Sequence, residues 1–119
     1  MGLVPHSPSR AYPRYALEID AEIQAAGGMV PARTKDVSRG GICFRAAAAL
    51  PVGEEVELRL ALVFDAETQS EPLSLRARIV WSTRLPDQRH QIGAAFVKTT
   101  GEQRAYVNLF IEYLSRGNS

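Results

Sequence analysis

Cysteine occurs once, histidine twice and tryptophan once among the 119 residues, and each shortage excludes a class of chemistry. A single thiol, Cys43, rules out an intramolecular disulfide and is compatible with a reducing cytosol. It sits in an apolar run with no histidine near it in sequence, which is the setting of a structural thiol rather than a nucleophile. His6 and His90 stand apart, without HxH, HxxxH or HExxH spacing, so a metal centre is not expected. Ser38 is not in a GxSxG elbow. Glu54, Glu55 and Glu57 crowd the start of one segment and read as a solvated face. Nothing is assembled for catalysis, and neither an enzyme nor a bound cofactor is expected.

Excess charge is equally scarce. Fourteen lysines and arginines oppose thirteen acids, leaving +1. Generic binding to nucleic acid or to an anionic membrane rests on a large basic surplus and is not expected. An anion site would have to be local, built from a few arginines. No stretch approaches the ~18 apolar residues of a membrane span, and the opening MGLVPHSPSR lacks the apolar region of a targeting signal. A cytoplasmic chain without membrane insertion is the expectation. Pro5, Ser7, Pro8 and Ser9 mark residues 1–9 as a flexible arm, ahead of one domain over residues 10–116.

Periodicity supplies the architecture. Tyr15, Leu17, Ile19, Ala21 and Ile23 alternate with polar positions, the pattern of a half-buried strand. Gly27 and Gly28 supply a turn, and residues 29–37 read as the return strand, weakened at Pro31. A third short strand covers residues 42–45. Val56, Leu58, Leu60, Leu62 and Phe64 share the apolar face of a fourth. Leu73, Leu75, Ala77, Ile79 and Trp81 share that of a fifth, which makes Trp81 a core residue, with an edge bordering a ligand as the alternative. Ile92, Ala94 and Phe96 mark a sixth. The period then changes: Tyr106, Leu109, Phe110, Tyr113 and Leu114 form a helical stripe within about residues 101–116. Thr100 and Gln103 fit a capping box at its start, and Gly117 a stop at its end. The chain reads as all-β with one C-terminal helix, either a small antiparallel barrel or a sandwich.

Two short elements carry the remaining chemistry. In RAYPR, Arg10 and Arg14 lie four apart, and Pro13 biases Tyr12 toward extended angles. Two guanidinium groups about 13 Å apart along such a segment could grip two parts of one anion. Arginine pairs bidentately with phosphate and with the O6/N7 edge of guanine, and its plane stacks on bases. In DVSRGG, Asp36 and Ser38 favour bonds to the backbone, and Gly40 and Gly41 favour positive φ. An ionised carboxylate also suits the N1–H and N2–H2 donors of guanine. Taken singly, the first reads more readily as surface arginines on a solvated segment and the second as an ordinary turn.

Taken together they resemble the signature of PilZ domains, bacterial receptors for cyclic di-GMP. That family's pattern is RxxxR, roughly twenty residues, then (D/N)xSxxG, met here by Arg10 and Arg14 and then by Asp36, Ser38 and Gly41. The run Ile92-Gly93-Ala94-Ala95-Phe96 is similar to a recurring family segment. The resemblance implies a six-stranded antiparallel split barrel and cyclic di-GMP as ligand. Arg10 and Arg14 would hold its phosphates and guanine edges, Asp36 and Ser38 would bind a guanine, and Gly41 would permit the close turn. Arg39 and Gly40 are possible further contacts. It also implies that the ligand orders a loose segment, residues 7–14, and that the new surface signals to a downstream protein, with the chain a monomer or weak homodimer. The alternative is a PilZ-like adaptor that works through protein contacts without nucleotide.

Overall fold

A computed structural model describes residues 12–61, 67 and 72–116. The alternation along residues 15–23 becomes two strands, β1 (Tyr15–Ala16) and β2 (Asp20–Ala25), rather than one. Both lie antiparallel to β3 (Gly28–Val37), and the ladder lapses between them at residues 17–19. Thr34 on β3 fills the lapse. Its buried hydroxyl donates to the Leu17 carbonyl at 2.5 Å and accepts from the Ile19 amide at 2.8 Å. The in–out alternation therefore survives the break, and Leu17, Ala21 and Ile23 all face the core. The turn before β3 occupies Ala26 and Gly27, with Gly28 beginning the strand at φ +127°, where a side chain would be strained.

The remaining strands are β4 (Gly41–Ala46), β5 (Glu55–Leu60), β6 (Leu73–Arg84) and β7 (His90–Phe96). They run in the order β3-β2-β5-β6-β7-β4, and β4 pairs back onto β3, closing a six-stranded antiparallel barrel with β1 as a short addition. Closure is possible because β3 serves two neighbours in succession. Its first half pairs with β2 and its second half with β4, sharing only Ala32 and Arg33. Of the expected fourth strand, β5 ends at Leu60, and Leu62 and Phe64 lie outside the described residues.

Alternation fills the barrel from all sides. Ile23, Phe44, Leu58, Ile79 and Ile92 are fully buried, each worth roughly 1.5–3 kcal/mol by area removed from water. The helix α1 (Gly101–Ser115) caps one end, with Val107, Phe110 and Ile111 set against Leu60, Leu75 and Phe96. Its capping box forms as read: Thr100 Oγ1 accepts from the Gln103 amide at 3.0 Å, and Gln103 Oε1 accepts from the Thr100 amide at 2.9 Å. Gln103 also donates to the Ser74 carbonyl at 2.6 Å, tying the helix start to β6. The buried stripe is rotated from the expected one, since Leu109 is 55% exposed while Val107 and Ile111 are buried. Gly117, the expected stop, lies outside the described residues.

Candidate functional site

The pairing of β1 with β3 sets Tyr15 opposite Val37 and Ala16 opposite Asp36. Arg14, one step further along, is thereby placed at the DVSRGG loop, 22 residues away in sequence. Its guanidinium donates to Asp36 Oδ1 at 3.2 Å, while Lys35 Nζ lies 3.7 Å from Oδ2. All three are partly open to solvent, the Asp36 side chain the least so at 19%. One carboxylate thus lies between two cations on the outer surface, and the trio carries a net charge of +1. Arg10 lies outside the described residues. Arg39 is exposed at the loop tip.

Asp36 faces outward because of a bulge. Thr34 pairs with Phe44 and Asp36 with Cys43, so Lys35 is an extra residue in β3. In a regular strand Asp36, two residues on, would share the face of buried Thr34 and point into the barrel, and the bulge reverses this. With it, Val37 takes the core position and Asp36 the surface.

The loop is held by its own bonds. Ser38 donates its amide to the Gly41 carbonyl at 2.8 Å, its hydroxyl accepts from the Gly40 amide at 3.1 Å, and Phe96 on β7 donates to the Gly40 carbonyl at 2.9 Å. Ser38 is buried, so its hydroxyl shapes the turn. The positive φ expected of Gly40 and Gly41 is absent; among glycines of the described residues only Gly28 and Gly53 have it. Both are glycines for room. A Cβ on Gly41 would lie 2.3 Å from the Ala94 carbonyl oxygen, which β4 approaches as it pairs with β7. A Cβ on Gly40 would meet the Tyr12 ring at 3.1 Å. Residues 12–14 lie against the loop, Tyr12 on Gly40 and Arg14 at Asp36.

A second bulge moves Trp81. Ile79 pairs with Ala94 and Trp81 with Gly93, so Val80 is the extra residue in β6. Trp81, expected in the core, is turned onto the outer face, where its indole lies across Gly93. One cross-strand row then runs Asp36, Cys43, Gly93, Trp81. Three interstrand steps at about 4.8 Å make it roughly 14 Å long. The sign of this in sequence was a glycine at an outward position of a strand paired with tryptophan.

Cys43 is the floor of the row. It is 2% exposed, and burial, then the nearby Asp36 carboxylate, push its thiol up to about 11, so it is protonated and inert at neutral pH. Beside the row, Glu55 takes ion pairs from Lys98 at 3.1 Å and Arg78 at 3.0 Å, which hold its carboxyl below the usual range. Among the described residues no cluster of three or more His, Cys, Asp or Glu could hold a metal ion, and no helix is long and apolar enough to cross a membrane.

The family model described as the PilZ domain matches residues 8–113. No curated protein matches the sequence. Among solved structures, the Bacillus subtilis inhibitor of motility MotI/DgrA superposes with a TM-score of 0.70 at 19% identity, over 91% of this chain and 52% of that one. The chain thus spans about half the length of that relative. The PilZ domain of Escherichia coli YcgR, solved with c-di-GMP, gives 0.67 at 13% identity, over 89% of this chain and 91% of that domain. The PilZ domain of CeSA from a cellulose-synthesizing bacterium gives 0.57 at 24% identity, over 90% and 99%. At these identities the structures speak for the shared barrel, whereas the family model spans almost the whole sequence, both signature elements included: the chain belongs to the PilZ domain family.

Proposed function

We propose that this chain is a cyclic di-GMP receptor that passes the signal to a partner protein in the cytoplasm. The observation that carries the reading is the approach of Arg14 to Asp36, which sets a cation and an acceptor side by side on the outer face. Chemically the two halves complement a guanine nucleotide. Arg10 and Arg14 take the phosphates and the O6/N7 edges, and Asp36 accepts from N1–H and N2–H2. Ser38 and Gly41 act through the loop, the first by fixing its turn and the second by letting β4 close on β7. Arg39 and the exposed part of Gly40 border the same surface. Trp81, at the far end of the row, offers an indole face on which a base can stack. The chemistry is binding, in keeping with a family of regulatory binding domains, and needs no catalytic group.

The ligand joins the Arg14–Asp36 pair rather than displacing it, its phosphate meeting the arginine held beside the carboxylate. Two cations at one carboxylate leave a surplus charge that a dianion satisfies better than the carboxylate alone. The bound nucleotide and the arm then form the surface that a partner reads. The alternative, an adaptor that needs no nucleotide, draws on the same ion pair, because Arg14 and Asp36 already satisfy each other.

Calorimetric titration with cyclic di-GMP separates the two. The receptor reading expects saturable binding, and a loss of roughly 10–100-fold in affinity in Arg14→Ala and in Asp36→Ala, the worth of a charged hydrogen bond. Absence of binding in the unaltered protein, or undiminished binding in both variants, refutes it.

A further inference from the structure

Tyr12 has no place in the signature, yet it makes the contact that joins arm to loop. Its Cδ2 and Cε2 lie 3.1 and 3.3 Å from where a Cβ of Gly40 would stand, so the ring rests on the bare face of that glycine. Gly40 has an unremarkable φ, and the Phe96 amide pins its carbonyl. The loop therefore presents a fixed, side-chain-free seat. Pro13, with φ locked near −65°, is the only residue between the seated ring and Arg14. A ring held at one end and a proline in the middle leave Arg14 little choice of direction.

We propose that Tyr12 is a latch: its ring, seated on Gly40, positions Arg14 against Asp36 before any ligand arrives. Its effect on affinity rests on the receptor reading above; its effect on the arm does not. Gly40 is then a glycine on account of Tyr12, whereas Gly41 is one on account of the β7 backbone. The contact is made by ring carbons and not by the hydroxyl, so phenylalanine serves as well as tyrosine. Preorganisation of this kind strengthens binding by removing an ordering cost, without adding a contact to the ligand.

Two readouts on the full chain test it. In the first, without nucleotide, trypsin cleavage of the Arg14–Tyr15 bond is followed by mass. We expect Tyr12→Ala to speed it roughly three- to tenfold and Tyr12→Phe to leave it unchanged, since cleavage follows the population of the undocked arm. Gly40→Val, whose branched side chain occupies the seat, speeds it like Tyr12→Ala, and the double variant adds nothing further. In the second, cyclic di-GMP titration shows the same roughly three- to tenfold loss in Tyr12→Ala and none in Tyr12→Phe. Unchanged cleavage in Tyr12→Ala overturns the latch. Faster cleavage with unaltered affinity overturns its positioning role. Failure of the unaltered protein to bind nucleotide overturns the receptor reading, and the cleavage rates still decide whether the ring holds the arm.

Discussion

Gly93 is where the outer row is most sharply constrained. An alanine methyl there would sit 2.1 Å from Trp81 Nε1, 2.3 Å from Cε2 and 2.8 Å from Cδ1. Non-bonded heavy atoms settle near 3.5–4.0 Å, so more than about 1 Å of separation has to be found. The backbone cannot supply it, because Gly93 is paired on one side with Cys43 and on the other with Trp81. The indole must swing off the strand instead. If it re-exposes roughly 80–120 Å² of the 150–250 Å² a tryptophan can bury, the loss is about 2–3 kcal/mol. Alanine returns roughly 0.5–1 kcal/mol, since it has less backbone freedom to lose than glycine. The net expectation for Gly93→Ala is a destabilisation of about 1–2.5 kcal/mol, read as a lower urea midpoint at unchanged m-value. Trp81 is the sole tryptophan, so native-state emission reports the swing directly as a shift to longer wavelength. In a Trp81→Ala background the same substitution should be neutral or slightly stabilising, because the clash is gone. If Gly93→Ala is as stable as the unaltered protein and its emission is unshifted, the indole does not lie on Gly93.

Thr34→Val keeps the shape but strips the Leu17 carbonyl and the Ile19 amide of a buried partner, which should cost roughly 2–4 kcal/mol by urea denaturation. Thr34→Ser should recover most of this, and a neutral Thr34→Val would mean that water or the backbone fills the lapse between β1 and β2. The Cys43 thiol, raised from 9.0 to about 11 by burial and by Asp36, makes stability depend on alkaline pH. The unfolded chain releases this proton first, so the contribution is complete below about pH 9 and declines as pH rises toward 11. Over that window the unaltered protein should lose roughly 2–3 kcal/mol more than Cys43→Ala; parallel pH profiles would show that the thiol is not shielded.

The barrel was legible because alternation and turn residues repeat the same instruction along six segments, and errors at one end do not propagate. Leu17 and Ile19, within the ladder lapse, keep their faces because Thr34 bonds to both, although three residues there pass two of β3. The helix was legible in extent but not in rotation. Val107, Phe110, Ile111 and Leu114 follow the same 3.6-residue spacing as the stripe of tyrosines and leucines, and only the barrel mouth chooses between them. Residue size drew the eye to Tyr106 and Tyr113, whereas the closed end of the barrel took the branched aliphatics.

The site was legible as residue types and not as geometry, and the two bulges account for the difference. A strict period of two places Asp36 on the face of Thr34 and Trp81 on the face of Ile79. One extra residue in each strand, Lys35 and Val80, reverses both assignments. Periodicity cannot announce such an insertion, because each strand remains apolar–polar on either side of it and only the phase changes. The glycines misled for a related reason. Gly40 and Gly41 follow a turn, so positive φ was the natural inference, but a glycine can also mark where another group comes too close for a Cβ. Here those groups are the Tyr12 ring, the Ala94 carbonyl and, at Gly93, the Trp81 indole. Three glycines with ordinary backbones thus trace where the arm, the seventh strand and the indole press on the surface that carries Asp36. The signature names the residues, and these close approaches fix where they stand.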